Sequence, residues 1–258
     1  MNEKKNTAAK IKSVLISQPK PPDDAKSPYF DLAKKYKLDI TFRKVITIEG
    51  VPAREFRKSK INFQDYSAVI LTSRNSIEHF FRMCSEMRYT VPETLKYFCI
   101  SESIALYLQK YIQYRKRKVF YSKQACHTII DIIKKHKKEK YLLPCSDINK
   151  TEIPDLLDKN GINYKKAILY KTLPDDLSDI DIYKYDMLVF FSPAGIKSLF
   201  QNFPDFKQNN IHIGAFGPAT AKAVQDAGLV LNVSAPTKKA PSMTMALDQY
   251  ISEINKKK

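Results

Sequence analysis

The groups in this chain that could do chemistry are hydroxyls and backbone amides, gathered in small turns. Apolar runs end repeatedly in such turns: Leu71-Thr72-Ser73-Arg74-Asn75-Ser76, Ser101-Glu102-Ser103, Ser192-Pro193-Ala194-Gly195 and Gly217-Pro218-Ala219-Thr220. An amphipathic stretch follows each, so each reads as a strand-to-helix turn whose first N–H groups lack an intrahelical acceptor. Those amides, with the hydroxyls of Thr72, Ser73, Ser101, Ser103, Ser192 and Thr220, can donate to an anionic ligand without a buried countercharge. Taken singly, each hydroxyl reads first as an ordinary helix cap. Taken together, the six suit a ligand carrying many carboxylates.

Tyr170 stands apart, in the β-rich run Ala167 to Leu173. One reading is packing within a strand. The other is a phenol projecting into a cleft, where it could give a proton to a leaving group.

Other chemistries lack their motifs. Gly214-Ala215-Phe216-Gly217 has the wrong spacing for a dinucleotide turn, and there is no GxxxxGK[ST] or GxSxG. Cys84, Cys99, Cys126 and Cys145 are scattered without CxxC or CxxH spacing, and His79, His127, His136 and His212 form no cluster. No metal site is expected, and the thiols read as reduced and partly buried in a cytoplasmic protein.

The elements that must position the donors alternate. Strands are expected at Ser13 to Ser17, Leu38 to Phe42, Ala68 to Leu71, Tyr97 to Ile100, Val119 to Tyr121, Tyr141 to Leu143, Met187 to Phe191, Ile211 to Phe216 and Val230 to Val233. Helices are expected at Pro28 to Tyr36, Ile77 to Met87, Ile104 to Tyr114, Thr128 to Lys137, Thr151 to Asn160, after Pro193, at Ala221 to Ala227 and at Pro241 to Ile254. This alternation predicts an α/β fold of two doubly wound, flavodoxin-like parallel sheets. Ser73 and Ser192 lie 119 positions apart, and Ser101 and Gly217 lie 116 apart. The near-constant offset points to a duplicated unit, although two unrelated α/β domains with similar turns would give the same pattern.

The C-terminal part supplies three strands without the usual first ones, which Ser13 to Phe42 would provide. One domain is therefore expected to be discontinuous, residues 11–43 plus 174–258, with residues 54–165 inserted as the other. Segments 44–53 and 166–173 read as strands pairing into a linker ladder, with a ligand cleft between the domains. Residues 1–10 read as a loose basic tail.

With 258 residues, 43% apolar, the chain can bury two ordinary cores. Its longest apolar runs are far too short for a membrane span, so no membrane association is expected. The net charge of +17 would permit nucleic-acid binding. The basic runs Tyr114 to Lys118, Lys134 to Lys140 and Lys256 to Lys258 flank helices or end the chain, however, so solvated faces are the simpler reading and no nucleic acid is expected.

From residue 11 onward the chain resembles the uroporphyrinogen-III synthase family. The similar pieces are Leu71 to Ser76, Phe190-Phe191-Ser192-Pro193-Ala194-Gly195-Ile196, Leu169-Tyr170-Lys171-Thr172 after Gly161, and Ser234-Ala235-Pro236-Thr237. The most specific is Ile213-Gly214-Ala215-Phe216-Gly217-Pro218-Ala219-Thr220-Ala221-Lys222-Ala223 followed by Gly228-Leu229. The resemblance implies cyclisation of hydroxymethylbilane, a linear tetrapyrrole with eight carboxylates, with inversion of the last ring and loss of water. It implies no cofactor, a monomer, and substrate received from the preceding pathway enzyme. Tyr170 matches the family tyrosine thought to help the hydroxyl leave. Gln18, Thr72, Ser73, Arg74, Asn75, Ser101, Ser103, Ser192, Ala194, Gly195, Gly217 and Thr220 would contact substrate. Three places depart from the family pattern: Gln18-Pro19 stands for Arg-Pro, Ser101 to Ala105 for Gly-x-x-Thr-Ala, and Pro144-Cys145-Ser146-Asp147 where an Arg is common. These departures motivate the alternative of a tetrapyrrole-binding or regulatory protein that has lost its catalysis.

Overall fold

A computed structural model describes residues 10–22, 26–122, 128–148 and 152–256. The chain divides into two compact units, Met1–Thr47 with Leu173–Lys258, and Ile48–Thr172. The basic tail at residues 1–9, Cys126, His127 and the final Lys257-Lys258 lie outside the described residues.

The first unit carries β1 (Ser13–Ile16), α1 (Pro28–Tyr36) and β2 (Asp39–Phe42) before the chain leaves it. The chain passes into the second unit along β3 (Ile46–Gly50), followed by the single turn α2 (Ala53–Phe56). There follow β4 (Ala68–Leu71), α3 (Arg74–Glu86), β5 (Lys96–Cys99), α4 (Glu102–Leu108), β6 (Val119–Tyr121) and α5 (Thr128–Lys135). The second unit ends with β7 (Tyr141–Ser146), α6 (Glu152–Lys159) and the long β8 (Tyr164–Pro174), along which the chain returns. Completing the first unit are β9 (Met187–Phe190), α7 (Pro193–Asn202), β10 (His212–Phe216), α8 (Pro218–Asp226), β11 (Val233–Ala235) and α9 (Met243–Lys256).

The first sheet has the order β11-β10-β9-β1-β2, and the second β3-β8-β7-β4-β5-β6. Every pairing within the first sheet is parallel, as are those linking β8, β7, β4, β5 and β6. Parallel sheets are covered on both faces, so their strands are apolar at successive positions rather than alternate ones. Val69 and Leu71 join one core of the second unit while Ala68 and Ile70 join the other. In the first unit Met187 and Val189 face one core, and Leu188 and Phe190 the opposite one. Helix α3 closes one of these faces with Ile77, Phe80, Met83 and Cys84, spaced along one helical stripe.

Three elements differ from the sequence reading. The helix expected to reach Tyr114 stops at Leu108, where Gln109, Lys110 and Tyr111 turn back with bonds to residues three positions earlier. Tyr111 then stacks on Phe81 at 4.8 Å, a contact that a continuing helix would carry away. The last strand begins at Val233 rather than Val230, because Gln208 takes both backbone groups of Val230 with its side-chain amide. Ala167 to Leu173 is not only a linker. It is the continuation of β8, which pairs with β7 from Tyr164 to Tyr170 and has β3 on its other side.

Phe98 is fully buried, stacked on Phe120 at 4.9 Å and edge-on to Tyr141 at 5.2 Å. Phe98→Ala should cost about 3–5 kcal/mol, read as a lower urea midpoint. His212 on β10 bonds the Tyr250 hydroxyl at 2.8 Å, and burial holds its pKa, like that of His79 on α3, below the ordinary imidazole value. The folded state therefore resists protons that the unfolded chain binds below about pH 6.5, so stability should fall as the pH drops through that value. A His79→Phe, His212→Phe double variant should flatten the dependence of the urea midpoint between about pH 7.5 and 5.

Candidate functional site

In each unit the parallel strands send their helix-starting turns to one edge of the sheet. In the second unit, β4 ends at Thr72-Ser73 and α3 begins. Ser73 accepts the Ser76 N–H at 3.0 Å, and the Ser76 hydroxyl answers the Thr72 and Ser73 amides at 3.2 and 3.1 Å. This capping box withdraws three amides that the sequence offered to a ligand. The amides left without an acceptor among the described residues are those of Arg74 and Asn75. At the next turn Ser101 caps the Ile104 N–H at 3.4 Å and shares a hydrogen bond with Ser103 at 2.9 Å.

The Arg74 guanidinium lies 5.1 Å from the centroid of the Tyr107 ring, and the Lys110 ammonium lies 4.7 Å from the same centroid. Neither cation pairs with a carboxylate among the described residues. Tyr107 instead donates to Glu78, which pushes its pKa up to about 12. Cations held over an aromatic face keep their charge available to an anion. The sequence reading picked Arg74 and missed Tyr107 and Lys110. Their four- and three-residue steps along the chain from Ser103 and Tyr107 were the available signal, since Tyr107 and Lys110 both fall in the helix expected from Ile104 to Tyr114.

Tyr170, on β8, is only 7% exposed. Its hydroxyl lies 3.4 Å from Ser73 Oγ, and its ring stacks on His79 with centroids 4.8 Å apart and planes 20° apart. Burial pushes the phenol pKa up, partly offset by the Ser73 contact, so the group holds its proton across the neutral range. Tyr170 and Ser73, 97 residues apart in sequence, are thus brought together. Asp147, at the end of the run Pro144 to Asp147 that closes β7, is turned to internal use. Its carboxylate accepts the Ile148 and Thr172 amides at 2.8 and 2.9 Å and the Ser146 hydroxyl at 2.7 Å, and these bonds hold its pKa below the usual carboxylate range despite partial burial.

In the first unit, Ser192 caps α7 through the Gly195 N–H at 3.3 Å, and Pro193 has no N–H to offer. Ala194 keeps an amide without an acceptor among the described residues. A side chain at Gly195 would come within 3.1 Å of the Phe190 ring and 3.4 Å of Val45, so its smallness serves helix packing. Gly217 is different. Its φ of +88° favours glycine, and nothing lies within 4 Å of where a Cβ would stand. The amides of Ala219 and Thr220 after it have no acceptor among the described residues, while the Thr220 residue itself is only 2% exposed. Gln18 is half-buried just beyond β1, its own amide bonded to Ile16 O at 2.8 Å. Among the described residues no group of His, Cys, Asp and Glu side chains could hold a metal ion, and no helix is long and apolar enough to cross a membrane.

The family profile of uroporphyrinogen-III synthase HemD matches residues 31–245. No curated protein matches the chain in sequence. Among solved structures, the chain is similar to uroporphyrinogen-III synthetase from Helicobacter pylori, with TM-score 0.59 and 16% identity over 94% of this chain and 100% of that one. It is also similar to a mutant uroporphyrinogen III synthase from Thermus thermophilus, with TM-score 0.56 and 14% identity over 94% and 99% of the two chains. At such identities the structures speak to the fold, whereas the profile spans most of the sequence. On that match, the chain belongs to the uroporphyrinogen-III synthase family.

Proposed function

We infer that this chain cyclises hydroxymethylbilane to uroporphyrinogen III, with Tyr170 as the proton donor to the departing hydroxyl. The observation that carries the assignment of the donor is the protonated Tyr170 phenol held against Ser73, beside the free amides that open α3. The substrate hydroxyl takes the phenol proton and leaves as water. The azafulvene cation that remains is attacked by the substituted carbon of the terminal pyrrole, giving a spiro intermediate. Fragmentation and reclosure turn that ring over, and the proton lost on rearomatisation restores the phenol.

The protein's larger task in this reading is conformational. Unguided closure gives the type I isomer, so the chain must hold the tetrapyrrole folded until the inverted ring recloses. The amides of Arg74 and Asn75 and the Arg74 and Lys110 cations would take carboxylates in one unit. Taken by itself, the first unit offers the amides of Ala194, Ala219 and Thr220, with the open backbone at Gly217, as its own anion-holding donors. Helix starts and exposed cations favour anions without needing a buried base that could scavenge the cationic intermediate.

A second reading, binding without turnover, is motivated by the turn Ser101 to Ala105 and the run Pro144 to Asp147, where the sequence departs from the family pattern. Separating isomers I and III after incubation with hydroxymethylbilane distinguishes the two, because a binder yields only spontaneous isomer I. For the catalyst, Tyr170→Phe should lower the rate of isomer III formation about 100-fold with the far-ultraviolet dichroism unchanged. Wild-type turnover in that variant would remove Tyr170 from the mechanism.

A further inference from the structure

We propose that Arg82 is a positioning residue for Tyr170, setting both the backbone before it and the ring stacked upon it. The inference rests on the reading of Tyr170 as the proton donor. Arg82 lies on α3, three residues after His79, so the two side chains share a helix face. Its Nη2 donates to Leu169 O at 2.9 Å and to Val51 O at 3.0 Å, tying α3 to β8 and to the chain just beyond β3. Its Nε donates to His79 Nδ1 at 3.1 Å, and Nη1 is paired with Glu86.

Two consequences meet at Tyr170. Leu169 is the residue before it, so the guanidinium fixes the carbonyl of the Leu169–Tyr170 peptide. His79 is the ring stacked on it, and a Nδ1 that accepts from Arg82 places the neutral imidazole proton on Nε2. One planar group with donors in fixed directions thus sets a strand and a ring together, which a lysine ammonium cannot do. The path of this side chain also explains Gly50. A Cβ there would lie 2.7 Å from Arg82 Cζ and 2.8 Å from Nε, closer than real contacts allow. Leu169 is fully buried and β8 is already paired with β7, so the strand has a place without this clamp. What Arg82 adds is the tie from that strand to the stacked imidazole.

The experiment compares Arg82→Met, Arg82→Lys, Gly50→Ala, His79→Phe and His79→Ala with Tyr170→Phe. Each is scored by kcat and KM for isomer III and by fluorine NMR of protein carrying 3-fluorotyrosine. The Tyr170 resonance is assigned by its absence in Tyr170→Phe. Arg82→Met should lower kcat about tenfold or more with KM within about twofold, and should shift or broaden the Tyr170 resonance. Arg82→Lys should recover only part of the loss. Gly50→Ala, which displaces the guanidinium without removing its charge, should reproduce the direction of both effects even if Arg82→Met fails to fold. His79→Phe, which keeps a stacked ring, should retain more activity than His79→Ala. Folded Arg82→Met or Gly50→Ala protein with kcat within about twofold of wild type and an unmoved Tyr170 resonance would overturn the proposal. If Tyr170→Phe turns over normally, the donor assignment fails on its own, and the resonance alone then decides whether Arg82 positions Tyr170.

Discussion

Parallel strand pairing is the constraint from which the rest of the molecule follows. When neighbouring strands run the same way, every connection must return along a helix, and every strand-to-helix turn leaves from one edge of the sheet. Among the helices that start at such turns are α3 and α4 in one unit and α7 and α8 in the other. Each starts with N–H groups that helix geometry cannot satisfy. The fold therefore concentrates donors at each edge before any residue is chosen for function. Residue choice then edits that supply. Ser76 removes two amides from the first turn, and Pro193 and Pro218 remove one apiece from α7 and α8. The glycine φ at residue 217 opens the backbone there.

The discontinuous unit has a related origin. Read from β2 to β11, the first sheet runs pair then trio: β2 and β1, then β9, β10 and β11. The second sheet, from β8 to β6, runs β8 and β7, then β4, β5 and β6. The two orders are equivalent, and the helices correspond as well, α1 with α6, α3 with α7, α4 with α8 and α5 with α9. In chain order the pieces are pair, trio, pair, trio, and each sheet joins one pair to the trio of the other repeat. The architecture is that of a duplication whose halves have exchanged their trios, the internal counterpart of domain swapping. Exchange forces the chain to pass between units twice, once in β3 and once in β8. Tyr170 sits three residues before the second passage.

How much could be read from sequence follows from which interactions are local. Met187 to Phe190 and Ala68 to Leu71 announce themselves because a strand buried on both faces must be apolar at every position. The turns at Ser73 and Ser192 were visible because capping is decided within four residues. The 119-residue offset of these serines is close to the 116 between Ser101 and Gly217 because the four residues open helices that correspond in the two sheet orders. The misses depended on distant partners. Val230 looks like a strand residue until Gln208, 22 positions away, takes its backbone groups. Asp147 gives no sign in the sequence of its internal partners, since Thr172 donates to it across 25 positions. Arg82 looks like one more surface cation of a basic chain, and its acceptors lie 31 and 87 positions away.

The surroundings of Tyr170 bear on what a phenol could do there. A proton donor to a leaving hydroxyl should be protonated at working pH yet not so apolar in setting that its anion cannot form briefly. Burial supplies the first condition by disfavouring the phenolate. The Ser73 hydroxyl supplies a measure of the second, since it can donate to the phenolate as charge develops. A carboxylic acid starts from a pKa of about 4, far below that of a phenol, and its ionised form would repel a substrate bearing eight carboxylates. The neutral His79 ring against Tyr170 fits the same logic, since burial and the nearby Arg82 charge both oppose its protonation. Chemistry that needs one proton given and returned, on a substrate that must be held rather than attacked, favours neutral donors over strong acids and bases. That is the kind of residue the two sheet edges hold.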